Sequence, residues 1–213
     1  MIFEVFSSGP VDTNVVLVVC ERTKKAAIID APQDCASFVL SKIKELGVAV
    51  EMLLLTHTHQ DHIAEVDLLK KKLKMPVYVH ALDAPNLRSP GADLLPIFIP
   101  AKPVIPDHFL EDGQVLMLGN LKFSVIHTPG HTPGCVCFYF EEEKLLISGD
   151  TLFRGSMGRI DFPGSNAEAM WNSLKKLAEL PFDTRVVPGH GEMTTIKNEA
   201  SWMVNAKRRF GDG

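Results

Sequence analysis

Thr56-His57-Thr58-His59-Gln60-Asp61-His62 follows directly on the apolar run Met52-Leu53-Leu54-Leu55. Three histidines and an aspartate thus fall together at the end of what reads as a buried strand. His57 and His59 are two residues apart, so on extended backbone they face the same way. Asp61 and His62 come where a helix begins. A strand-to-helix turn presents all four side chains at the C-terminal end of a strand, where α/β architectures commonly place chemistry. Imidazole and carboxylate are the ligands of zinc and its first-row neighbours.

Three more stretches share this layout. Thr128-Pro129-Gly130-His131-Thr132 sets His131 on a Pro/Gly turn behind a strand. Ile147-Ser148-Gly149-Asp150-Thr151 ends a strand in an aspartate, and Val187-Pro188-Gly189-His190-Gly191 ends another in a histidine. Taken singly, a His or Asp behind a glycine is an ordinary turn residue or cap. Three repeats of strand, glycine and ligand residue beside the first cluster point to one metal centre, with glycine where backbone must crowd the site.

Working outward, Thr13–Cys20 and Ala26–Asp30 read as a hairpin of buried strands about the basic turn at Arg22–Lys25. Asp34–Leu46 reads as a helix stopped by Gly47. Residues 62–74 read as a second helix, and Pro76–His80 as a strand. Ser89–Asp107 carries Pro90, Pro96, Pro100, Pro103 and Pro106 among apolar residues, so no regular structure is expected there. It reads equally as a packed surface loop or as a flap or interface. A meander follows at Gln114–Leu118, Lys122–Ile126, Val136–Phe140 and Lys144–Ser148. Asn166–Leu180 reads as an amphipathic helix, Arg185–Val187 as a last strand and Lys197–Phe210 as a terminal helix. Strands, helices and strands again suggest two sheets with helices outside them.

The 213 residues suit one domain, and 46% hydrophobic with 23% charged residues is an ordinary globular composition. A net charge of −4 gives no electrostatic reason for a nucleic-acid partner. No apolar run approaches the ~20 residues of a membrane span. The N-terminus lacks a basic signal-like region. A cytoplasmic protein with no membrane partner is expected. Its Cys20, Cys35, Cys135 and Cys137 are then reduced, and they read as small buried residues.

With T-H-T-H-Q-D-H, T-P-G-H-T, G-D-T-L-F and P-G-H-G in this order, the chain resembles the metallo-β-lactamase-fold hydrolases from Asn14 almost to its C-terminus. The resemblance implies an α/β fold, a four-layer αββα sandwich with the metal site at one edge of the sheets. It implies His57, His59 and His131 at one metal, Asp61, His62 and His190 at another, and Asp150 bridging them. The cofactors implied are two divalent metal ions, zinc first, with iron or manganese as alternatives. His127 is expected to point away or to stand behind the ligands. His80 and His108 have no ligand-like surroundings.

Asp150 stands where the antibiotic-destroying branch carries cysteine, so β-lactam hydrolysis is not expected. The RNA-processing branches carry added basic arms or a second domain, which this length and charge do not accommodate. Gly149–Phe153 followed by Gly158-Arg159-Ile160-Asp161-Phe162-Pro163 is most similar to short bacterial glyoxalase II, the hydroxyacylglutathione hydrolases. In the longer enzymes Arg159 is matched by a glutathione-binding lysine and Asp161 by a tyrosine contact. The implied activity is hydrolysis of an S-(2-hydroxyacyl)glutathione-type thioester by a hydroxide shared between the metals, its pKa lowered toward about 7. Asp61 would both ligate and orient that hydroxide, and Arg159 would bind the substrate. The expected partner is a small-molecule thioester. The expected layout is one domain over residues 1–213, without the separate C-terminal glutathione-binding domain of the longer enzymes. The alternative is a mononuclear iron persulfide dioxygenase, with His57, His131 and Asp150 as iron ligands. A non-catalytic metal-binding sensor or interaction module is the third reading. Acyl group, thiol carrier and oligomeric state stay open at this point.

Overall fold

Every residue of Thr13–Cys20 is buried, so this strand has protein on both faces. The computed structural model, which describes residues 1–211, shows what each face meets. Val15, Leu17 and Val19 pack with Val39, Val66 and Leu69 of outer helices. Val16 and Val18 pack with Phe123, Phe138 and Phe140 of a second sheet. That second sheet alternates in the same way: Cys137 and Tyr139 turn outward onto Met170, Trp171 and Leu174. Period-two alternation on strands with no wet face therefore builds helix, sheet, sheet and helix in turn. The αββα layering expected from the sequence is the observed one.

The first sheet holds β1 (Ile2–Ser8), β2 (Thr13–Cys20), β3 (Lys25–Ile29), β4 (Ala49–Leu54), β5 (Val77–His80) and β6 (His108–Leu110), in that spatial order. Its first three strands are antiparallel. From β3 to β6 the pairs are parallel. The connections between these parallel strands carry α1 (Ala36–Leu46), α2 (Gln60–Ile63), α3 (Val66–Leu73) and α4 (Ala84–Arg88). The second sheet contains β7 (Val115–Leu118), β8 (Leu121–His127), β9 (Val136–Phe140), β10 (Leu145–Gly149), β11 (Arg185–Pro188) and β12 (Thr194–Thr195), ordered β12-β11-β10-β9-β8-β7. α5 (Ala167–Ala178) crosses between the parallel pair β10 and β11. α6 (Ile196–Met203) and α7 (Ala206–Phe210) follow β12.

Two expected helices are broken. The run 62–74 divides into α2 and α3 because its turn spends its hydrogen bonds elsewhere. The His62 carbonyl accepts from Ala31 N–H (2.8 Å), and Glu65 N–H donates to Ala31 O (2.9 Å). The terminal run divides at Val204–Asn205, where the Asn205 side chain takes the Ser201 carbonyl (3.1 Å) in competition with the backbone. β1, α4 and β6 had no clear sequence signal. β1 is a half-buried edge strand, and the other two have only five and three residues. Residues 89–107 hold no helix or strand, as the prolines require. All four cysteines are buried and free. No described helix is long and apolar enough to cross a membrane.

Gly130 shows how closely the β8–β9 loop packs on α5. A Cβ there would lie 2.6 Å from Met170 Cα, and φ is +151°. Gly130→Ala should destabilise the fold by at least about 1–3 kcal/mol, read as a lower urea midpoint at unchanged m-value.

Candidate metal centre

Four strand ends meet at one edge of the sandwich. The first sheet supplies His57 and His59, on extended backbone after β4, then Asp61 and His62 in the turn of α2. The second supplies His131 from the β8–β9 loop, Asp150 directly after β10, and His190 directly after β11. These residues approach in three overlapping groups, each with ligand atoms within 4.8 Å of one another: His57, His59 and His131; His57, His62 and Asp150; Asp61, His62 and His190. Asp150 joins the two halves. Its Oδ1 lies 3.3 Å from His62 Nε2, and its Oδ2 lies 3.4 Å from His131 Nε2 and 3.5 Å from His190 Nε2.

A surrounding layer of side chains and carbonyls aims these groups. His62 Nδ1–H donates to Asp30 Oδ2 (2.8 Å), His131 Nδ1–H to Arg159 O (2.8 Å) and His190 Nδ1–H to Val11 O (3.0 Å). His57 Nδ1 is 3.2 Å from Thr56 Oγ1, whose own hydroxyl donates to Asp30 Oδ2 (2.7 Å). In these four rings Nδ1 is engaged from outside, which leaves Nε2 for the centre. Thr13 Oγ1 donates to Asp61 Oδ2 (2.9 Å), and Asn14 Nδ2 ties down the Pro188 and Gly191 carbonyls on either side of His190. Asp83 clamps both sheets' loops, accepting from Thr58 N–H, Thr132 Oγ1–H and Gly134 N–H. Asp30, Thr13 and Asp83 carry no motif. The one available signal was that Asp30 ends an apolar strand, as Asp150 does.

The donor set fits cations. His57 Nε2, His131 Nε2 and Asp150 Oδ1 are buried without a hydrogen-bond partner, an arrangement costly for polar atoms unless something charged meets them. A Cβ on Gly189 would stand 2.0 Å from Asp150 Oδ1, so glycine is needed to let that carboxylate in. With the chain's own groups alone, charge separates sharply. Burial and the neighbouring imidazoles push His57 well below the usual histidine range, and burial with His131 brings His59 to about 3. Burial opposes charge on His62 too, but Asp61, Asp150 and Asp30 outweigh it and raise that ring well above the usual histidine range. His190, bonded to Asp150 and Asp61 against the cost of burial, is raised to about 10. Those cations in turn hold Asp61 and Asp150 well below the carboxylate range despite burial. Such a set of nitrogens and carboxylates, with Cys absent, suits divalent first-row metals.

The cluster forms the floor of a cavity of about 680 Å³ whose rim includes Arg159, Phe153 and Phe162. Arg159 lines this cavity, and its guanidinium is already engaged. Nε and one Nη donate to Asp161 (2.8 and 2.6 Å), and the group lies over the Phe162 ring at 4.2 Å. The remaining histidines stay outside, as expected. His127 stacks on His80 at 4.2 Å, and His108 lies tilted against Tyr78 at 4.5 Å.

The sequence pattern of the metallo-beta-lactamase superfamily matches residues 8–190. The chain belongs to the metallo-β-lactamase superfamily. Among its relatives is the "Hydroxyacylglutathione hydrolase GloC" of Haemophilus influenzae, 34% identical over 186 residues, which are 85% of this chain and 87% of that one. Two solved metallo-β-lactamase-fold structures are similar throughout. "BLEG-1 B3 metallo-beta-lactamase" has a TM-score of 0.87 at 35% identity, covering 94% of this chain and 97% of that one. "TTHA1623 in a di-iron-bound form" has a TM-score of 0.78 at 41% identity, covering 92% and 96%. The first of these bears a β-lactamase name.

The two similar histidines of H-T-P-G-H-T-P-G give a direct check of the centre. His131→Ala should lose at least about half the bound metal, while His127→Ala should keep it; elemental analysis of the purified variants decides. Asp150→Ala, which removes the group common to both halves, should weaken all metal binding.

Proposed function

We propose that this chain is a metal-dependent thioester hydrolase of the glyoxalase II type, acting on S-(2-hydroxyacyl)glutathione-like substrates. The observation that carries this reading is Asp150, whose two carboxylate oxygens face ligand atoms from both halves of the cluster. That geometry suits two metals, one held by His57, His59 and His131, the other by Asp61, His62 and His190. The di-iron form of TTHA1623 and the name of the Haemophilus relative support it. Zinc and iron both suit the donors. Bound there, divalent ions lower the pKa of water and polarise a carbonyl oxygen.

The chain's own groups supply the rest. Asp61, fixed by Thr13 and ionised beside His62 and His190, accepts a hydrogen bond from the attacking water and orients it. Water oxygen bonds to the thioester carbon, the carbon–sulfur bond breaks, and acid and thiol leave. Phe162 and Phe153 flank the cluster, with ring centroids 5.7 Å from His59 and 6.0 Å from His190, and limit its exposure to solvent. Arg159 meets an anionic carrier at the rim. Its prior pairing with Asp161 and its exposure weaken that contact.

Metal analysis with assays of S-lactoylglutathione and a chromogenic β-lactam tests the proposal. Two metals per chain with thioester cleavage is the expected result. The B3 lactamase likeness makes β-lactam hydrolysis the second reading, and preference for that substrate would favour it. One iron per chain with oxygen consumption on a persulfide would replace hydrolysis by dioxygenation. Arg159→Ala should raise KM for the anionic thioester roughly two- to fivefold with kcat little changed. Asp161→Ala, which releases the guanidinium, should lower that KM, and neither change should affect a small uncharged thioester.

A further inference from the structure

Gln60 lies inside the ligand motif yet points to no ligand. Its side chain reaches across to the proline-rich segment. Nε2 donates to Pro96 O (2.7 Å), and Oε1 accepts from both Phe98 N–H and Ile99 N–H (2.7 Å each). A second amide braces the start of the segment: Asn86 donates to Asp93 and accepts from Gly91 N–H. The irregular loop is thus held by specific bonds, and it is held against the metal cluster.

What it presents there is apolar. Leu95, Pro96, Phe98 and Ile99 line the cavity, as do Phe153 and Met157. Phe98 is 82% exposed at the mouth, a surface that gains from being covered. Among the described residues, the only polar side chains lining the cavity outside the His/Asp cluster are Gln60 and Arg159. Gln60 is committed to loop backbone. Arg159, bonded to Asp161 and lying over Phe162, is where the proposed reaction places the thiol carrier. The loop side therefore offers a polar substrate arm no free partner, and burying one there would be costly.

We infer that this site selects thioesters whose acyl group carries an apolar chain or ring, which lies on the wall of Leu95, Phe98 and Ile99, and that Gln60 is the positioning residue that holds this wall. The inference rests on the proposed thioester hydrolysis and adds its substrate class. The cavity, about 680 Å³, is of the size that encloses such a ligand. Each methylene covered at a half-open wall is worth about twofold or more.

The test compares kcat/KM for S-acetyl-, S-butyryl- and S-hexanoylglutathione in the wild-type protein and in two variants. From acetyl to hexanoyl a rise of about tenfold or more is expected. Phe98→Ser, on an exposed side chain that the core does not need, should cut that ratio to about a third or less. Gln60→Ala should do the same with metal content retained. A flat chain-length dependence, or a ratio unchanged in both variants, overturns the inference while leaving thioester hydrolysis standing. Failure to cleave any thioester overturns the proposed function instead. Calorimetric binding of hexanoate against acetate then still reads the wall: about tenfold tighter hexanoate, lost in Phe98→Ser, supports it, and equal affinities overturn it.

Discussion

The Asp30 carboxylate fixes the geometry on which the centre depends. It is 2% exposed and stands at the end of β3 with φ +60°. One oxygen accepts Thr56 N–H; the other accepts the Thr56 hydroxyl and the His62 ring. Three pieces of chain are thereby locked: the end of β3, the start of the ligand turn and the helix that follows. A buried carboxylate tolerates this position because donors meet both its oxygens. The same bonds force Nε2 of His62 inward. The breaks in the helix after His62 belong to the same arrangement, since Ala31, next to Asp30, takes the backbone bonds that a continuous helix would have used.

The two sheets contribute to the site by different means. The first delivers four groups within one strand-to-helix turn, so their relative positions are set locally. The second delivers His131, Asp150 and His190 from three separate connections, and their positions depend on packing. Glycines absorb the crowding there: Gly130 against α5 and Gly189 against Asp150. Asp83 ties the loops of the two sheets with three hydrogen bonds.

How much of this was legible in the sequence follows from how local each signal is. The layering was readable because Thr13–Cys20 and Val136–Phe140 have no polar face. The cluster was readable because each ligand sits behind a strand and a glycine, or within one short motif. Asp30, Thr13 and Asp83 were not, because they act on partners 25 to 51 residues away. Apart from Asp30's place at the end of an apolar strand, nothing near them in the chain marks them as different from caps. Gln60 was visible inside the motif, but its bonds to residues 96–99 depend on where an irregular loop settles. The engagement of Arg159 by Asp161 is a rotamer choice within two residues, which spacing alone does not decide.

Asn14 N–H bonds to Gly189 O (2.7 Å), and Thr13 bridges to His190, so the two ends of the superfamily segment close on each other at the metal edge. Contacts this distant in sequence form late, because the entropy of closing so long a loop must be overcome before they contribute. The first sheet's quartet has no such delay. Its four ligands lie within six residues and are near one another even in an unfolded chain. A metal ion can therefore meet the nascent chain at residues 57–62 before the rest of its shell exists. Affinity for the unfolded chain subtracts from whatever stability the metal confers on the native state. The local motif that makes the site easy to recognise thus limits how strongly the metal can favour the folded protein, and the long-range ligands supply the difference.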